Sequence, residues 1–381
     1  MEFAPNEEQK MLKAMVREFC EKEIEPIAGK MDEEAYFPKD VIRKAASIGL
    51  FGTGYPEEYQ GSGGGAIEQV ITLEEIARVS ASTCVIIAAS NGLAGHPIYE
   101  FGTEVQKRKY LMPLMTGEKL GAFGLTEANA GSDVAAIQTT ATKENGGYIL
   151  NGNKIFITNA VEAEIIVVFA TLDKSKGYRG ITGFILENTM PGYAVGKHER
   201  KLGIRGSSTA EIILDGCFVP ESNLLGSEGK GFRIALETID ASRLGIAAQA
   251  IGIAQMAFEK ALAYARERRQ FGQPIANFQA IQWMLADMAT QIDAARLLTY
   301  RAASLKDHHQ PFIKESAMAK VFAAEVAAFV TNKALQIYGG YGYIKDFPIE
   351  RYFRDARITQ IYEGTSEMQR MTIARQLLKG E

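Results

Sequence analysis

The sequence predicts an α+β multidomain chain: an N-terminal α-helical domain over 1–120, a middle antiparallel β-barrel domain over 121–225, and a C-terminal four-helix bundle over 226–381. Three observations lead there. The first third carries apolar residues at helical spacing. The middle breaks into short β-rich runs separated by turn signals, with no helical segment between them. The last part holds long helical stretches with short connections, as in an up-down bundle. The middle runs taken by themselves admit a small barrel or a sandwich.

The N-terminal helices follow in order. Asn6-x-x-Gln9 caps a helix whose apolar stripe runs Leu12, Met15, Val16, Phe19, Ile24 and Ile27. Pro38 opens the next helix and Gly49 lies near its end. Gly61-Ser62-Gly63-Gly64-Gly65 has no preceding strand and lacks dinucleotide-binding spacing, so it reads as a flexible connection. A helix over about 66–79 follows. The stretch 83–93 is apolar almost all round, which predicts a helix buried on every side. Its Ser90 and Asn91 then need partners: either they bond backbone groups or they line a cavity. Thr103-x-x-Gln106 caps a further helix, and Gly117 closes the region.

The β-rich runs are 148–150, 155–158, 164–169, 181–186 and 212–214, divided by Asn145-Gly146-Gly147, Asn151-Gly152 and Pro191-Gly192. Helices over about 232–266, 278–304 and 313–338 follow. The last helix begins after a segment centred on Glu363.

Composition removes several function classes. Net charge is −4, from 42 Lys+Arg against 46 Asp+Glu, which is no electrostatic footprint for nucleic acid. No apolar run reaches the roughly 20 residues of a membrane span. The first six residues show neither a basic signal region nor an Arg-rich transit pattern. Cys20, Cys84 and Cys217 are far apart without CxxC spacing, pointing to a reducing compartment, the cytoplasm. There is no GxSxG, no phosphate-binding GxxxxGK[ST] and no HExxH, and His308-His309 follows Asp307 in a polar interhelical turn. Neither serine-nucleophile nor metal chemistry is indicated.

Four stretches remain. Loop 125–133, Leu-Thr-Glu-Ala-Asn-Ala-Gly-Ser-Asp, is an ordinary turn or a set of N–H and O–H donors for a planar polar edge. Arg266-Glu267-Arg268-Arg269-Gln270-Phe271-Gly272 ends a long helix; its cations suit the helix dipole or clamp a pyrophosphate. Gln336-Ile337-Tyr338-Gly339-Gly340 ends another, where the glycines form a C-cap and permit close backbone approach. In Ile361-Tyr362-Glu363-Gly364-Thr365-Ser366, a carboxylate with apolar neighbours precedes a helix start. Ser366-x-x-Gln369 reads as its capping box, with the helix starting near Glu367. Glu363 is a surface loop residue or a general base with a raised pKa.

In this order, and with Phe156-Ile157-Thr158-Asn159, these stretches resemble the acyl-CoA dehydrogenase family across essentially the whole chain. The resemblance implies a homotetramer built as a dimer of dimers, with FAD between the β domain and the bundle. Glu363 would abstract the α-proton of an acyl-CoA, the β-hydrogen would pass as hydride to the flavin, and a 2,3-enoyl-CoA would form. Gly364 N–H, with a ribityl hydroxyl of FAD, would bind the thioester oxygen. Phe123, Leu125, Thr126 and Ser132 would contact the flavin region, Ser132 also lying near the CoA arm. Phe156, Ile157 and Thr158 would pack along the ring system. Arg268, Phe271, Gln279, Gln336 and Gly340 would hold FAD from the partner subunit. Thr365 and Glu367 would flank the cofactor, and Asp240 and Arg243 would touch the CoA moiety. Electrons would leave to an electron-transfer flavoprotein.

Departures from the family pattern narrow the expectation. Phe156 stands where many members have tryptophan, and Ala128 where proline is usual. Some branches place the base on the first bundle helix; the matching Ser242 cannot serve, which supports Glu363. Members acting on glutaryl-CoA carry an arginine at the position matched by Cys84, which speaks against a dicarboxylic substrate. The small residues of 88–95 leave width for a short-chain acyl group first, an alicyclic or aromatic-derived one second, with Asn91 facing it. Two other readings accompany this one: a flavin oxidase or monooxygenase of the same fold using O₂, and a non-catalytic scaffold relative.

Overall fold

The computed structural model describes residues 5–379; the N-terminal reading over residues 1–4 lies outside them. Asn6 caps α1 (Glu7–Phe19) reciprocally with Gln9, at 2.8 and 3.0 Å. The helical path continues through a π turn (Cys20–Ile24) into α2 (Glu25–Glu33), so the predicted single stripe spans three helical stretches. Met15, placed on that stripe, is exposed instead. Pro38 is the N-cap of α3 (Lys39–Ser47).

The glycine-rich loop departs from the flexible connection expected. Gly63 bridges to Tyr55, and Gly65 leads into α4 (Ala66–Val79). The Asp307 carboxylate accepts from Ala66 N (2.6 Å) and Ile67 N (3.2 Å), satisfying two of the helix's free N–H groups from a distant part of the chain. α5 (Ala81–Ala88), a π segment (Ala89–Gly95) and α6 (His96–Phe101) form one run. α7 (Glu104–Gln106) has the Thr103 capping box and passes through a π turn to α8 (Met112–Met115).

The middle sheet comprises β1 (Gly121–Gly124), β2 (Thr140–Glu144), β3 (Gly147–Thr158), β4 (Ile165–Thr171), β5 (Ile181–Glu187), β6 (Tyr193–His198), β7 (Thr209–Pro220) and β8 (Leu224–Leu225). Its order is β6-β7-β3-β2-β4-β5-β8, with β1 on β4. The pairing is mixed rather than wholly antiparallel. β1 runs parallel to β4, and Thr140 pairs parallel with Thr171. The β2–β3 hairpin separates β1 from β4, and a connection of that length lets a strand return in the same direction. Every residue of β4 is buried, because both faces are covered. Val167 and Phe169 pack with Leu111, Leu114 and Ile234 of the helices; Ile166 and Val168 pack with Ile212 and Leu214 of the sheet.

The C-terminal part holds α9 (Gly231–Glu267), a two-stranded hairpin of β9 (Arg269–Gln270) and β10 (Gln273–Pro274), then α10 (Gln279–Asp307), α11 (Ile313–Tyr338), α12 (Ile349–Ala356) and α13 (Ser366–Lys379). The four long helices are those predicted; the short α12 is additional. α11 packs on α9 and α13, and α4 also packs on α9. Small residues such as Ala247, Ala254, Ala323 and Ala327 fill their common core. Among the described residues no helix is long and apolar enough to cross a membrane.

Candidate active site

The segment between α12 and α13 is set by its two ends. Asp355 is buried and accepts from Ile204 N at 2.5 Å. Thr365 Oγ1 accepts from Met368 N at 3.3 Å, so α13 is capped one residue before the predicted Ser366. Ser366 Oγ is buried and has no partner among the described residues, while Gln369 reaches back to the carbonyls of Glu363 (3.2 Å) and Gly364 (3.0 Å). The turn has left-handed backbone at Glu363 (φ 50°) and Gly364 (φ 88°), which moves the helix start and the cap together. At φ 88° any L side chain at position 364 would be strained, and its Cβ would also displace Gln369 Nε2, 2.5 Å away, so the turn favours glycine. Positive φ at a glutamate is strained backbone of the kind that persists at functional sites.

Glu363 Oε2 is sealed from solvent and has no hydrogen-bond partner among the described residues. Burial pushes the carboxyl up to about 7, and the Ser242 hydroxyl with the cations of Lys320 and Arg243 partly offsets this. Arg243 is itself buried and pairs with Asp240 at 2.7 Å. The preceding Tyr362 donates its hydroxyl to Gln249 on α9.

Glu363 lines a cavity of about 20 Å³, together with Ala88, Asn91, Ser242, Gly245 and Ile246. That is room for about one water. Asn91 meets both expectations at once: Nδ2 donates to Phe51 O at 3.2 Å, while Oδ1 is buried without a partner in this cavity wall. Ser90 Oγ accepts from Gly121 N and serves structure alone. Tyr55, Gln69, His96, Ala241 and Lys306 line both this cavity and an open cleft of 1140 Å³, which Asp240 also lines. Cys84 is buried and its thiol faces Leu73 O at 3.4 Å.

The other predicted residues fall into two groups. On the sheet, Ile155 N donates to Thr126 O, which lays loop 125–133 along β3. Phe123, Thr126 and Thr158 are half-buried there, and Phe156, at φ 59° beside a register break, exposes its ring. Leu125 and Ile157 are buried among core residues, so they offer backbone rather than side chains to a ligand. Ser132 is exposed farther along the loop. At the bundle's end, Arg268 stacks over Tyr341 (5.5 Å) and shares a 490 Å³ cavity with Gly340. Phe271 is 92% exposed at the hairpin tip, its ring against Phe278, and Gln279 and Gln336 are exposed. These three do not line that cavity. Glu367 is exposed in the first turn of α13.

Comparison with known proteins gives the same arrangement a lineage. Family models for the N-terminal, middle and C-terminal domains of acyl-CoA dehydrogenase match residues 6–118, 122–217 and 229–378. The chain is 49% identical over 379 residues to a short-chain specific acyl-CoA dehydrogenase of Clostridium acetobutylicum, covering 100% of both. The chain belongs to the acyl-CoA dehydrogenase family. Butyryl-CoA dehydrogenase from Megasphaera elsdenii superposes with TM-score 0.98 at 46% identity, over 99% of this chain and 100% of that one. A chain from a structure described as the electron transferring flavoprotein of Acidaminococcus fermentans gives TM-score 0.98 at 50% identity, over 100% of each.

The acyl-CoA dehydrogenase cofactor is FAD, and the residues present fit it. The solvent-facing Phe156 ring on a polar-edged sheet suits an isoalloxazine. Arg268 beside Gly339 and Gly340, where an added Cβ would meet nothing, suits phosphate. Sequence reasoning missed two residues that shape the Glu363–Gly364 segment, Gln249 and Lys320, and read Gln369 only as half of a capping box. Lys320 left a trace, as a cation within an Ala- and Val-rich stretch of a predicted bundle helix. Glu127 and Asn159, read within cofactor motifs, are structural. Glu127 pairs with buried Lys154 at 2.7 Å, and Asn159 Nδ2 ties Ile86 O to Gly121 O.

Proposed function

We propose that this acyl-CoA dehydrogenase oxidises a short-chain acyl-CoA to the 2,3-enoyl-CoA, with Glu363 as the base and Gly364 N–H as a donor to the thioester oxygen. One observation carries the reading: a solvent-sealed carboxylate oxygen, unpartnered among the described residues, faces a cavity walled by the small residues Ala88, Gly92, Ala241 and Gly245, and the 49% identity to a short-chain specific relative supports the substrate class. An α-proton of a thioester is too weakly acidic for a carboxylate in water, so the base must be desolvated and the carbonyl polarised. Burial does the first at Glu363, and the free N–H of Gly364 does the second. FAD, when bound, accepts the β-hydrogen as hydride. The side chains of Phe123, Thr126, Phe156 and Thr158 and the backbone of Leu125 and Ile157 border its ring. Arg268, Phe271, Gln279, Gln336 and Gly340 serve a neighbouring subunit's cofactor, which makes the working form a homotetramer. The exposure of Phe271 and Arg268 in the single chain supports this. Thr365 and Glu367 flank the cofactor at the α13 start. Ser132, Asp240 and Arg243 serve the CoA arm; the place of Asp240 on the open cleft supports that role.

The chain is read as three domains, 1–120, 121–225 and 226–381, which the change from helix to strand and back supports. Electrons pass to an electron-transfer flavoprotein, in line with the relative from Acidaminococcus fermentans. A cytoplasmic location agrees with three buried, unpaired thiols. The test is anaerobic flavin bleaching by a series of acyl-CoAs, with Glu363→Gln as control. Butyryl- and hexanoyl-CoA should bleach fastest, and Glu363→Gln should keep its flavin while losing ~10²–10⁴ of the rate. Fastest bleaching by long straight chains would sink the substrate class, and normal turnover of Glu363→Gln would remove the base.

A further inference from the structure

Lys320 sits on α11 with its side chain fully buried, between the small residues Ala317, Ala319, Val321 and Ala324. A lysine there is costly. Its cation is taken from water, and no carboxylate lies within ion-pair distance among the described residues. Among the described residues its ammonium makes one hydrogen bond, to Gly364 O at 2.6 Å. Gln369, fully buried on α13, sends Nε2 to the same carbonyl at 3.0 Å and to Glu363 O at 3.2 Å. Three donor contacts from two helices therefore converge on two consecutive carbonyls, at the two residues whose backbone is left-handed. Gly364 N–H, between those carbonyls, donates no intramolecular hydrogen bond among the described residues.

We propose that Lys320 and Gln369 are positioning residues that clamp the Glu363–Gly364–Thr365 backbone so that Gly364 N–H stays aimed at the thioester oxygen. A methionine or leucine would fill the Lys320 site without the desolvation cost, so volume does not account for it. The donors do what volume cannot. They hold a strained turn in one conformation. Donation to Glu363 O also polarises the peptide that carries Gly364 N–H, which strengthens that N–H as negative charge grows on the thioester oxygen. The Lys320 cation, in a water-poor site, acts on the same charge.

This rests on the assignment of Gly364 N–H as the oxyanion donor, and the test keeps the two apart. In the FAD-loaded enzyme, affinity is measured for acetoacetyl-CoA, which binds as an enolate and needs that donor. It is measured in parallel for butyl-CoA thioether, which has no carbonyl oxygen. Lys320→Met and Gln369→Met should each weaken the acetoacetyl-CoA complex and lower kcat by ~10–100-fold, with KM moving far less and thioether binding unchanged. Lys320→Arg, which keeps a cationic donor, should recover part of both. Should Lys320→Met fail to accumulate with flavin, Gln369→Met alone decides. Unchanged acetoacetyl-CoA affinity in a flavin-loaded variant overturns the clamp, and so does an equal loss for both ligands, which would mean general disruption. If Glu363→Gln is inactive while the clamp variants bind acetoacetyl-CoA normally, only the clamp falls.

Discussion

The Tyr362 hydroxyl donates to Gln249 Oε1, while Gln249 Nε2 donates to Ala81 O at 2.9 Å. The residue before the proposed base is thereby tied to α9, and through it to the start of α5. Tyr362→Phe removes the donor and leaves Gln249 Oε1 buried without a partner, so unfolding free energy should fall by ~1–3 kcal/mol. Because the tether adjoins Glu363, kcat should also drop several-fold while flavin content holds. Thermal melts and steady-state rates on the same preparation check both. A loss of stability with full kcat would show that the tether serves the fold alone.

The pH profile follows from burial of Glu363. A base must be deprotonated, and this carboxyl is pushed up to about 7. The rate of flavin reduction by a limiting acyl-CoA should therefore fall tenfold per pH unit well below 7 and level off above it. Ser242 favours the charged form, so Ser242→Ala should move the midpoint upward. A downward move, or none, would mean that another group sets the profile.

Asn91 lines the cavity beside Glu363, where the acyl group is proposed to bind. Asn91→Ala opens space beside Glu363 and should shift kcat/KM from butyryl- toward hexanoyl- and octanoyl-CoA. Phe51 O loses its donor, so stability should fall by ~1 kcal/mol. An unchanged chain-length order would take Asn91 out of the acyl wall.

Asp307 caps α4 across the molecule through Ala66 N and Ile67 N. Asp307→Ala should cost ~1 kcal/mol, the usual value of an N-cap carboxylate. Hydrogen exchange should rise at residues 64–67 and leave the far end of α4 unchanged. Faster exchange throughout α4 would instead mean that the whole helix depends on this cap.

The parts of the molecule that follow from local pattern were legible in the sequence. α11 matches its predicted span, and α9 and α10 differ only at their ends, because apolar spacing, Gly339 and the preceding loops mark them. The carboxylate-glycine pair at Glu363 was visible as a local feature before a helix start, while its proposed role as base came from the family resemblance. The clamp was not legible. Lys320 meets Gly364 across 44 residues, and Gln249 meets Tyr362 across 113. No local periodicity encodes such a meeting. The cap at Thr365 was misplaced by one residue because positive φ at Glu363, a tertiary effect, moved the helix start. The parallel pairing of β1 with β4 likewise depends on where α8 delivers the chain.

The buried pair Lys154–Glu127 offers a separate test of what holds the loop proposed to border the cofactor. Lys154 is fully buried, bonds Leu125 O at 3.2 Å and lies 2.7 Å from Glu127. Glu127 also receives Thr139 N and Thr139 Oγ1, at 3.0 and 2.6 Å. Burial pushes the Lys154 ammonium down to about 8; Glu127 feels burial upward, but Lys154 and the Thr139 donors outweigh it and hold it low. Lys154→Met leaves Glu127 charged and uncompensated, so it should destabilise the protein by ~3–5 kcal/mol. The double variant Lys154→Met with Glu127→Gln removes both charges and should recover a large part of that loss. FAD affinity should follow the same order, since Leu125 and Thr126 lie between these anchors and the exposed face of β3. If the double variant regains stability but not FAD affinity, the charged pair itself, beyond its hold on the loop, takes part in forming the cofactor site.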